Sequence, residues 1–188
     1  MRQQGGPIMR GYFGIGVEGI SKPMNVGTLF RSAHAFGASF VFTIRAHHTA
    51  FSAPSDTSQA TGQLPSYAWK SLEEMQLPRG CRLVGVELTE EAIELPSFKH
   101  PPRAAYVFGP ERASLAADIV ARCDALVKIP TRFCVNLGVA GAIVMYDRLL
   151  AHGRFAERPL HEGAEPAPMV NHVHGGIYSR RKADTQKP

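Results

Sequence analysis

Arg31 is the residue whose type and position first suggest chemistry. It lies in the stretch PMNVGTLFRSAHAFG, where Asn25 is the expected cap of a helix and Gly27, Arg31 and His34 share one face. Beside that face runs a predicted core stripe of Val26, Leu29, Phe30, Ala33 and Phe36. An arginine guanidinium is well suited to binding phosphate through two hydrogen bonds. The stripe explains the helix but leaves the adjacent glycine and arginine unexplained.

The charge of the chain points in the same direction. The 188 residues carry 21 Lys and Arg against 16 Asp and Glu, which gives a net charge of +5 and a pI near 9.3. This excess favours a polyanionic partner, although a basic soluble protein without such a partner has the same composition. The length and the 44% hydrophobic content suit one domain with its own core.

Two more motifs follow predicted strands. The strand AAYVF leads into Gly109-Pro110-Glu111, where a glycine permits close approach of a ligand at the carboxyl end of a strand. The strand ALVKIP leads through a short loop to Asn136, which is predicted to cap a helix that is apolar on nearly every side. Taken singly, an ordinary strand-to-helix turn explains the Gly109-Pro110-Glu111 motif. A core helix with an asparagine cap explains the Asn136 motif but leaves its preceding loop unexplained.

The stretch GIGVEG, residues 14–19, matches the glycine pattern of dinucleotide-binding sites. That pattern must open a helix directly and be followed by an acidic residue about 20 positions later. Here the glycines lie within a predicted strand, and the next acidic residue after Glu18 is Asp56. We therefore do not predict a dinucleotide site.

Predicted strands and helices alternate along residues 1–152. Five strands are expected in YFGIGVEGI, SFVFTIRA, RLVGVELT, AAYVFGPE and ALVKIP, and further helices in YAWKSLEEMQ, in SLAADIVARC with Ser114 as its cap, and from Asn136. Apolar strands in this alternation predict an α/β fold with a parallel sheet covered on both faces. Residues 48–66 are predicted to form a long loop, and residues 153–188 a separate tail or arm that is basic at its end.

Cellular location follows from the cysteines and the apolar runs. Three scattered cysteines indicate a reducing compartment, and the N-terminus has no apolar run of signal-peptide length. The most apolar stretch contains Asp147 and Arg148 and is shorter than the ~20 residues of a membrane span. The sequence predicts a cytoplasmic protein with no membrane partner and no metal site.

Taken together, the three motifs resemble a known family. Asn25-Val-Gly27-x-x-x-Arg31, Phe108-Gly-Pro-Glu111 and Ile129-Pro130 with Asn136-Leu-Gly-Val-Ala are similar, in order and spacing, to the signature motifs of the SpoU (TrmH-like) RNA 2′-O-ribose methyltransferases of the SPOUT superfamily. The resemblance covers residues 11–152. It implies a SPOUT-type parallel sheet flanked by helices, with a deep trefoil knot at the C-terminal end of the domain.

The resemblance also implies an activity and a site. The expected reaction transfers a methyl group from S-adenosylmethionine to a ribose 2′-hydroxyl of RNA, with tRNA expected in preference to rRNA, in a homodimer. The implied catalytic residues are Arg31, Asn25, Glu111 and Asn136. The implied cofactor-binding residues are Leu88, Gly109, Ile129, Cys134, Val135 and Leu137.

In this family the first-motif arginine lies close to the cofactor of the partner subunit. By that resemblance Gly27 would leave room for an RNA backbone or the partner, and Arg31 would bind phosphate and stabilise the developing alkoxide. A guanidinium stays protonated at ordinary pH, so general-base catalysis by an arginine is physically demanding. Glu111 and Asn136 would orient Arg31 or position the cofactor and the substrate.

The chain departs from the family at Cys134 and Gly138, where serines are common, and this bears on how the cofactor is bound. Two alternatives stay open at this stage. One is a SPOUT methyltransferase that acts on a base, which the Arg31 motif disfavours. The other is a catalytically silent, knotted RNA-binding dimer, which the joint presence of Arg31, Glu111 and Asn136 disfavours.

Overall fold

The computed structural model describes residues 11–19, 23–46, 63–110, 113–153, 155 and 163. The chain divides into two compact units, and the unit Pro7–Ala156 contains the elements given below. The second unit comprises Met1–Gly6 and Glu157–Pro188, of which residue 163 alone is described. The predicted tail and most of the predicted loop at 48–66 therefore lie outside the described residues.

The described part of the chain is built on one seven-stranded sheet in the order β3-β2-β1-β6-β4-β7-β5. Every neighbouring pair is parallel. The strands are β1 Tyr12–Glu18, β2 Phe40–Ile44, β3 Ser66–Trp69, β4 Arg82–Val86, β5 Ile93–Glu94, β6 Arg103–Phe108 and β7 Ala125–Lys128. The expectation of a parallel sheet is confirmed, and the predicted knot stays a prediction.

Helices cover both faces of this sheet. They are α1 Pro23–Ala35, α2 Ala117–Arg122 and α3 Leu137–His152, with a short 3-10 helix at Leu95–Ser97. Helices α1 and α3 pack together over one face, where the predicted stripe of α1 is buried except for the half-buried Phe36. Ile119 of α2, with Met75 from the segment before β4, covers the other face. None of the helices in the described residues is long and apolar enough to cross a membrane.

The glycines of GIGVEG serve packing inside β1. A Cβ atom on Gly14 would lie 2.2 Å from Cε2 of Phe40, and one on Gly16 would lie 2.3 Å from the ring of Phe42. The two aromatic rings of β2 therefore occupy the space that side chains on β1 would need. This agrees with the strand that the sequence predicts and explains the glycine pattern without a nucleotide.

Several local predictions are wrong. The helix expected over YAWKSLEEMQ begins instead as edge strand β3, because Tyr67 and Trp69 stack on each other at 5.8 Å and pack against the aromatic rings of β2. Strand β5 has two residues and was not expected. Helix α2 is capped by Ala116 rather than Ser114. Helix α1 begins at Pro23, so Asn25 lies within its first turn and is not the cap.

A buried arginine fastens α3 to the amino ends of two strands. Arg148 is 1% exposed and donates hydrogen bonds to the carbonyl oxygens of Tyr12, Pro101 and Pro102, at 3.2, 2.6 and 2.9 Å. It also donates to the hydroxyl of Tyr106 at 3.2 Å. Burial of a guanidinium is costly unless hydrogen bonds compensate; the Nε of Arg148 has no partner among the described residues, but the bonds from Nη1 and Nη2 fix how α3 lies on the sheet.

Candidate active site

A cavity of about 610 Å³ lies where β4, β6 and β7 end and α3 begins. The carboxyl ends of parallel strands are the usual ligand-binding edge of an open α/β sheet. The volume is in the range of pockets that enclose a drug-sized ligand. It is lined by Asn25, Val86, Glu87, Leu88, Phe108, Gly109, Pro110, Ala113, Ser114, Lys128, Ile129, Thr131, Cys134, Val135, Asn136, Leu137 and Ala140.

The structure brings most of the predicted site residues together. All six predicted cofactor-binding residues line this cavity, and so do Asn25 and Asn136. Glu111 lies outside the described residues. Arg31 is described and exposed, but it is not among the residues that line the cavity of its own chain.

Asn136 joins the two helices that meet at the cavity. Its Oδ1 accepts a hydrogen bond from the backbone N–H of Gly138 at 2.9 Å, which caps α3 as predicted. Its Nδ2 donates to Oδ1 of Asn25 at 3.1 Å. One side chain therefore satisfies a free donor at the start of α3 and ties that helix to the first turn of α1.

Gly109 lies at a crowded point of the cavity wall. A Cβ atom at this position would lie 2.9 Å from the backbone nitrogen of Leu115 and 3.3 Å from the carbonyl oxygen of Ala113. These close neighbours are backbone atoms of the segment that leads into α2, and the close approach of a ligand to Gly109 stays a prediction. Because Ala113 and Ser114 also line the cavity, the glycine sets the position of that part of the wall.

Glu87 is a site residue that the sequence did not single out. Its carboxylate accepts hydrogen bonds from the backbone N–H groups of Leu88 at 3.0 Å and Leu115 at 2.8 Å. It therefore links the end of β4 to the segment that Gly109 contacts. The signal available in the sequence was an acidic residue directly after an apolar strand, at the ligand-binding edge.

Glu18 anchors the same segment from the other side. This residue is 7% exposed, and its carboxylate accepts from the backbone N–H of Ala116 at 2.7 Å and from Arg45 at 3.1 Å. Arg45 also pairs with Asp118 in α2 and lowers the pKa of that carboxyl group. An acidic residue at the end of an apolar strand was visible in the sequence, but its partners are 27 and 98 residues away.

Cys134 and Gly138, the two departures from the family pattern, lie in different structural environments. Cys134 is exposed on the loop before α3 and lines the cavity. A Cβ atom on Gly138 would lie 2.7 Å from Cγ2 of Thr28, so the glycine permits close packing of α1 against α3. A serine at position 138 would crowd this helix contact, which gives a packing reason for the glycine.

Comparison with known proteins identifies the family. The model of the SpoU rRNA Methylase family matches residues 13–146. The chain belongs to this family. The matched range contains all the strands and helices given above except the first residue of β1 and the last residues of α3.

Individual relatives are distant. A tRNA (guanosine(18)-2′-O)-methyltransferase, TARBP1 of Mus musculus, is 24% identical over 142 residues, which are 68% of this chain and 9% of that protein. The AdoMet-bound rRNA methyltransferase of Sinorhizobium meliloti superposes with a TM-score of 0.67 at 20% identity, covering 77% of this chain and 58% of that one. A structure described for 2-OH methylation of C/U34 on tRNA has a TM-score of 0.63 at 23% identity, covering 76% and 97%.

These likenesses establish a shared SpoU fold. The chain spans 58% of the S. meliloti protein and only 9% of the mouse protein. The sheet and its helices are thus common to proteins of very different length.

Proposed function

We propose that this chain transfers a methyl group from S-adenosylmethionine to a ribose 2′-hydroxyl of RNA. The observation that carries the proposal is the cavity at the ends of β4, β6 and β7, which collects all the cofactor-binding residues expected from the family motifs. These residues come from three segments that are far apart in sequence. Membership of the SpoU family supports the same activity.

The cavity suits the proposed cofactor. Its walls include the apolar side chains of Val86, Phe108 and Leu137, which can enclose a flat base, and the carboxylate of Glu87 favours a ligand that carries positive charge. Leu88, Gly109, Ile129 and the segment 134–137 would hold the cofactor. When bound, S-adenosylmethionine supplies a methyl group that its sulfonium has already activated.

The remaining task of the chain is to orient the hydroxyl group and ease removal of its proton. We assign this to Arg31, whose guanidinium would bind the neighbouring phosphate in two hydrogen bonds and stabilise the developing alkoxide. Asn25 and Asn136, joined to each other at the cavity wall, would position the cofactor and the substrate. Glu111 would have the same positioning role by its place in the second motif.

The location of Arg31 favours a site shared between two subunits. Asn25 lines the cavity, and Arg31 follows it by six residues on α1. At 3.6 residues per turn, the side chain of Arg31 points about 120° away from that of Asn25 around the helix axis. Arg31 is exposed there and makes no ion pair within the described residues. A partner subunit could place its own cavity next to this free guanidinium.

Helix α3 offers a surface for such a dimer. Val139, Tyr146 and Leu150 are 50%, 52% and 37% exposed and follow one another at helical spacing along one stripe. An exposed apolar stripe on a helix indicates a protein interface. We propose that the chain is a homodimer through this stripe.

The dimer is tested by light scattering at micromolar concentration. Tyr146→Glu places a charge in the stripe and should shift the protein to a monomer, with loss of methyl transfer. Ile93→Glu is the matched control, because Ile93 is 46% exposed but lies on the edge strand β5. A wild-type monomer that still transfers methyl groups would contradict a shared site.

Arg31→Ala tests the mechanism. Turnover should fall by about 10²-fold or more, the usual contribution of a positioned acid–base or electrostatic group. Affinity for S-adenosylmethionine should barely change, because the residues proposed to hold the cofactor are those of the cavity wall, whereas Arg31 is assigned to the RNA. Arg31→Lys should retain part of the RNA affinity but little of the rate, since an ammonium lacks the planar fork.

The assay follows labelled methyl groups from S-adenosylmethionine into total tRNA and, separately, into rRNA. Lys99→Ala, which removes another exposed cation, is the control and should keep its activity. Near-normal transfer by Arg31→Ala would exclude the assigned role. Mass spectrometry of the nucleosides then distinguishes a methylated ribose from a methylated base, and RNA binding without any transfer would favour the silent binder.

We further propose tRNA as the substrate. The support is that two of the relatives described above act on tRNA, as their names state. Stronger labelling of rRNA than of tRNA in the same assay would contradict this choice.

A further inference from the structure

A second cavity of about 480 Å³ lies at the opposite end of β4 from the candidate active site. Leu83 near the start of this strand lines the second cavity, and Leu88 beyond its end lines the first. Val86, the last residue of β4, also lines the first cavity, so a rise of three residues of extended chain, about 10 Å, separates the nearest lining residues of the two cavities on this strand. The second cavity is lined by Met75, Gln76, Leu77, Pro78, Arg79, Gly80, Cys81, Leu83, Arg122 and Asp124.

Four arginines from separate elements gather around this second cavity. Arg79 and Arg122 line it, the first from the segment before β4 and the second from the last residue of α2. Arg103 begins β6, and its Nη1 lies 3.3 Å from the position that a Cβ atom on Gly80 would take. Arg82 begins β4 next to β6. We call these four residues the arginine cluster.

The charges of the arginine cluster are not balanced within the described residues. Asp124 is the carboxylate that lines the cavity, and it is engaged by Arg82 at 2.6 Å and by the backbone N–H of Leu83 at 2.8 Å. The positive surroundings lower the pKa of Asp124, so it stays ionised and offsets one charge. Arg79, Arg103 and Arg122 are exposed and take part in none of the ion pairs of the described part of the chain.

Like charges that converge without counter-charges mark a place where an external anion is favourable. Guanidinium groups match the geometry of phosphate and bind it through paired hydrogen bonds. Gly80 has a φ of +77°, a conformation that suits glycine, and it turns the chain between Arg79, which lines the cavity, and Arg82, which contacts the lining residue Asp124.

We propose that the arginine cluster binds the phosphodiester backbone of the RNA substrate, as a second contact remote from methyl transfer. This inference rests on the proposed function, because it takes the substrate to be RNA. An RNA that reaches both the first cavity and the arginine cluster must follow the protein for at least the 10 Å or so that separate the two cavities along β4. Contacts of this kind hold the RNA in position and carry no sequence information.

The test removes charge from the arginine cluster without touching the candidate active site. The double variant Arg79→Gln/Arg122→Gln should bind total tRNA more weakly. Its plot of log affinity against log salt concentration should be less steep by about 1.4 to 1.8, because each lost phosphate contact accounts for a slope of about 0.7 to 0.9. Affinity for S-adenosylmethionine, measured by calorimetry, should be unchanged. Both arginines are exposed and unpaired within the described residues, so the variant should fold.

The matched control is Lys70→Gln/Lys99→Gln, which removes the same charge from exposed positions that do not line either cavity. Its salt dependence should equal that of the wild type. An equal loss of slope in the control would mean that overall charge, and not the arginine cluster, binds RNA, and would overturn the inference.

The remaining outcomes separate this inference from the proposed function. If the wild type binds RNA and the Arg79→Gln/Arg122→Gln variant keeps the full salt dependence, only the second contact is overturned. If the wild type binds inorganic phosphate at these arginines while RNA binding is unaffected by the variant, the cavity is a small-anion site and the inference is again wrong. If the wild type binds no RNA at all, the proposed function fails together with it.

Discussion

Replacing Gly109 by alanine is expected to weaken cofactor binding without unfolding the protein. The added methyl carbon would lie 2.9 Å from the backbone nitrogen of Leu115, which is closer than real contacts of this kind. Overpacking a well-filled site costs about 1–3 kcal/mol, so the segment from Ala113 to Leu115 should move to relieve the contact. The same movement would stretch the hydrogen bond from the Leu115 N–H to Glu87, a charge-assisted bond that contributes about 1.5–3 kcal/mol.

The size of the effect follows from this geometry. Because Ala113 and Ser114 form part of the cavity wall, binding of S-adenosylmethionine must return the displaced segment to its original position. Binding then has to supply about 1.5–3 kcal/mol of strain, which corresponds to a roughly 10- to 100-fold weaker affinity. Isothermal titration calorimetry with S-adenosylmethionine measures this directly, and Gly109→Val should abolish detectable binding.

Gly14→Ala is the matched control for this experiment. It also introduces a methyl group into filled space, 2.2 Å from the ring of Phe40, but in β1 and outside the cavity wall. We expect it to lower the free energy of unfolding by about 1–3 kcal/mol and to leave cofactor affinity unchanged. A folded Gly109→Ala protein that binds S-adenosylmethionine as the wild type does would refute the reasoning that this glycine positions the wall.

Two further predictions concern Asn136 and His100. Asn136→Ser keeps a side-chain oxygen for the cap of α3 but loses the bond to Asn25, so it should reduce turnover with little change in melting temperature. Asn136→Ala loses the cap as well, and its free energy of unfolding in urea should fall by about 1 kcal/mol. Equal stability of the two variants would argue against the cap. Burial lowers the pKa of His100 below its ordinary 6.5 and outweighs the opposite effect of Asp147, whose carboxylate lies 2.8 Å from Nε2, while Nδ1 lies 2.5 Å from the hydroxyl of Tyr106. Because the unfolded chain binds this proton more readily, stability should be complete above about pH 6.5 and fall as the pH drops below it, and calorimetric melting of His100→Gln should show a smaller fall than the wild type; identical pH profiles would contradict this.

The active-site segments could be found from the sequence because each one carries a local signal. A glycine after an apolar strand and an asparagine before an apolar helix mark the ends of elements, and the end of a parallel strand is where ligands bind. Gly109 and Asn136 were singled out in this way, and Leu88 and Ile129 through the resemblance to the SpoU family; all four line one cavity. Glu87 and Glu18 were missed because their partners are backbone groups of a distant segment.

The failures in secondary structure have a similar cause. YAWKSLEEMQ has good helix-forming residues after its aromatic pair, yet Ser66–Trp69 forms an edge strand because Tyr67 and Trp69 find aromatic partners on β2. Local preference was overridden by packing between residues more than 20 positions apart in the chain. Ser114 could not act as the cap of α2, because α2 begins at Ala117, after the segment that Glu18 and Glu87 hold through the backbone of Leu115 and Ala116.

The sequence by itself predicted the class of fold, because apolar periodicity is a local property of the chain, and its resemblance to the SpoU motifs indicated the family and the segments that form the cavity. Only the tertiary structure decided which side chains meet. It joined Asn136 to Asn25 across 111 residues, left Arg31 outside the cavity of its own chain, and buried Arg148 on the carbonyl groups of β1 and of the residues before β6. Such contacts depend on where separate elements come together in space, and no spacing along the chain encodes that directly.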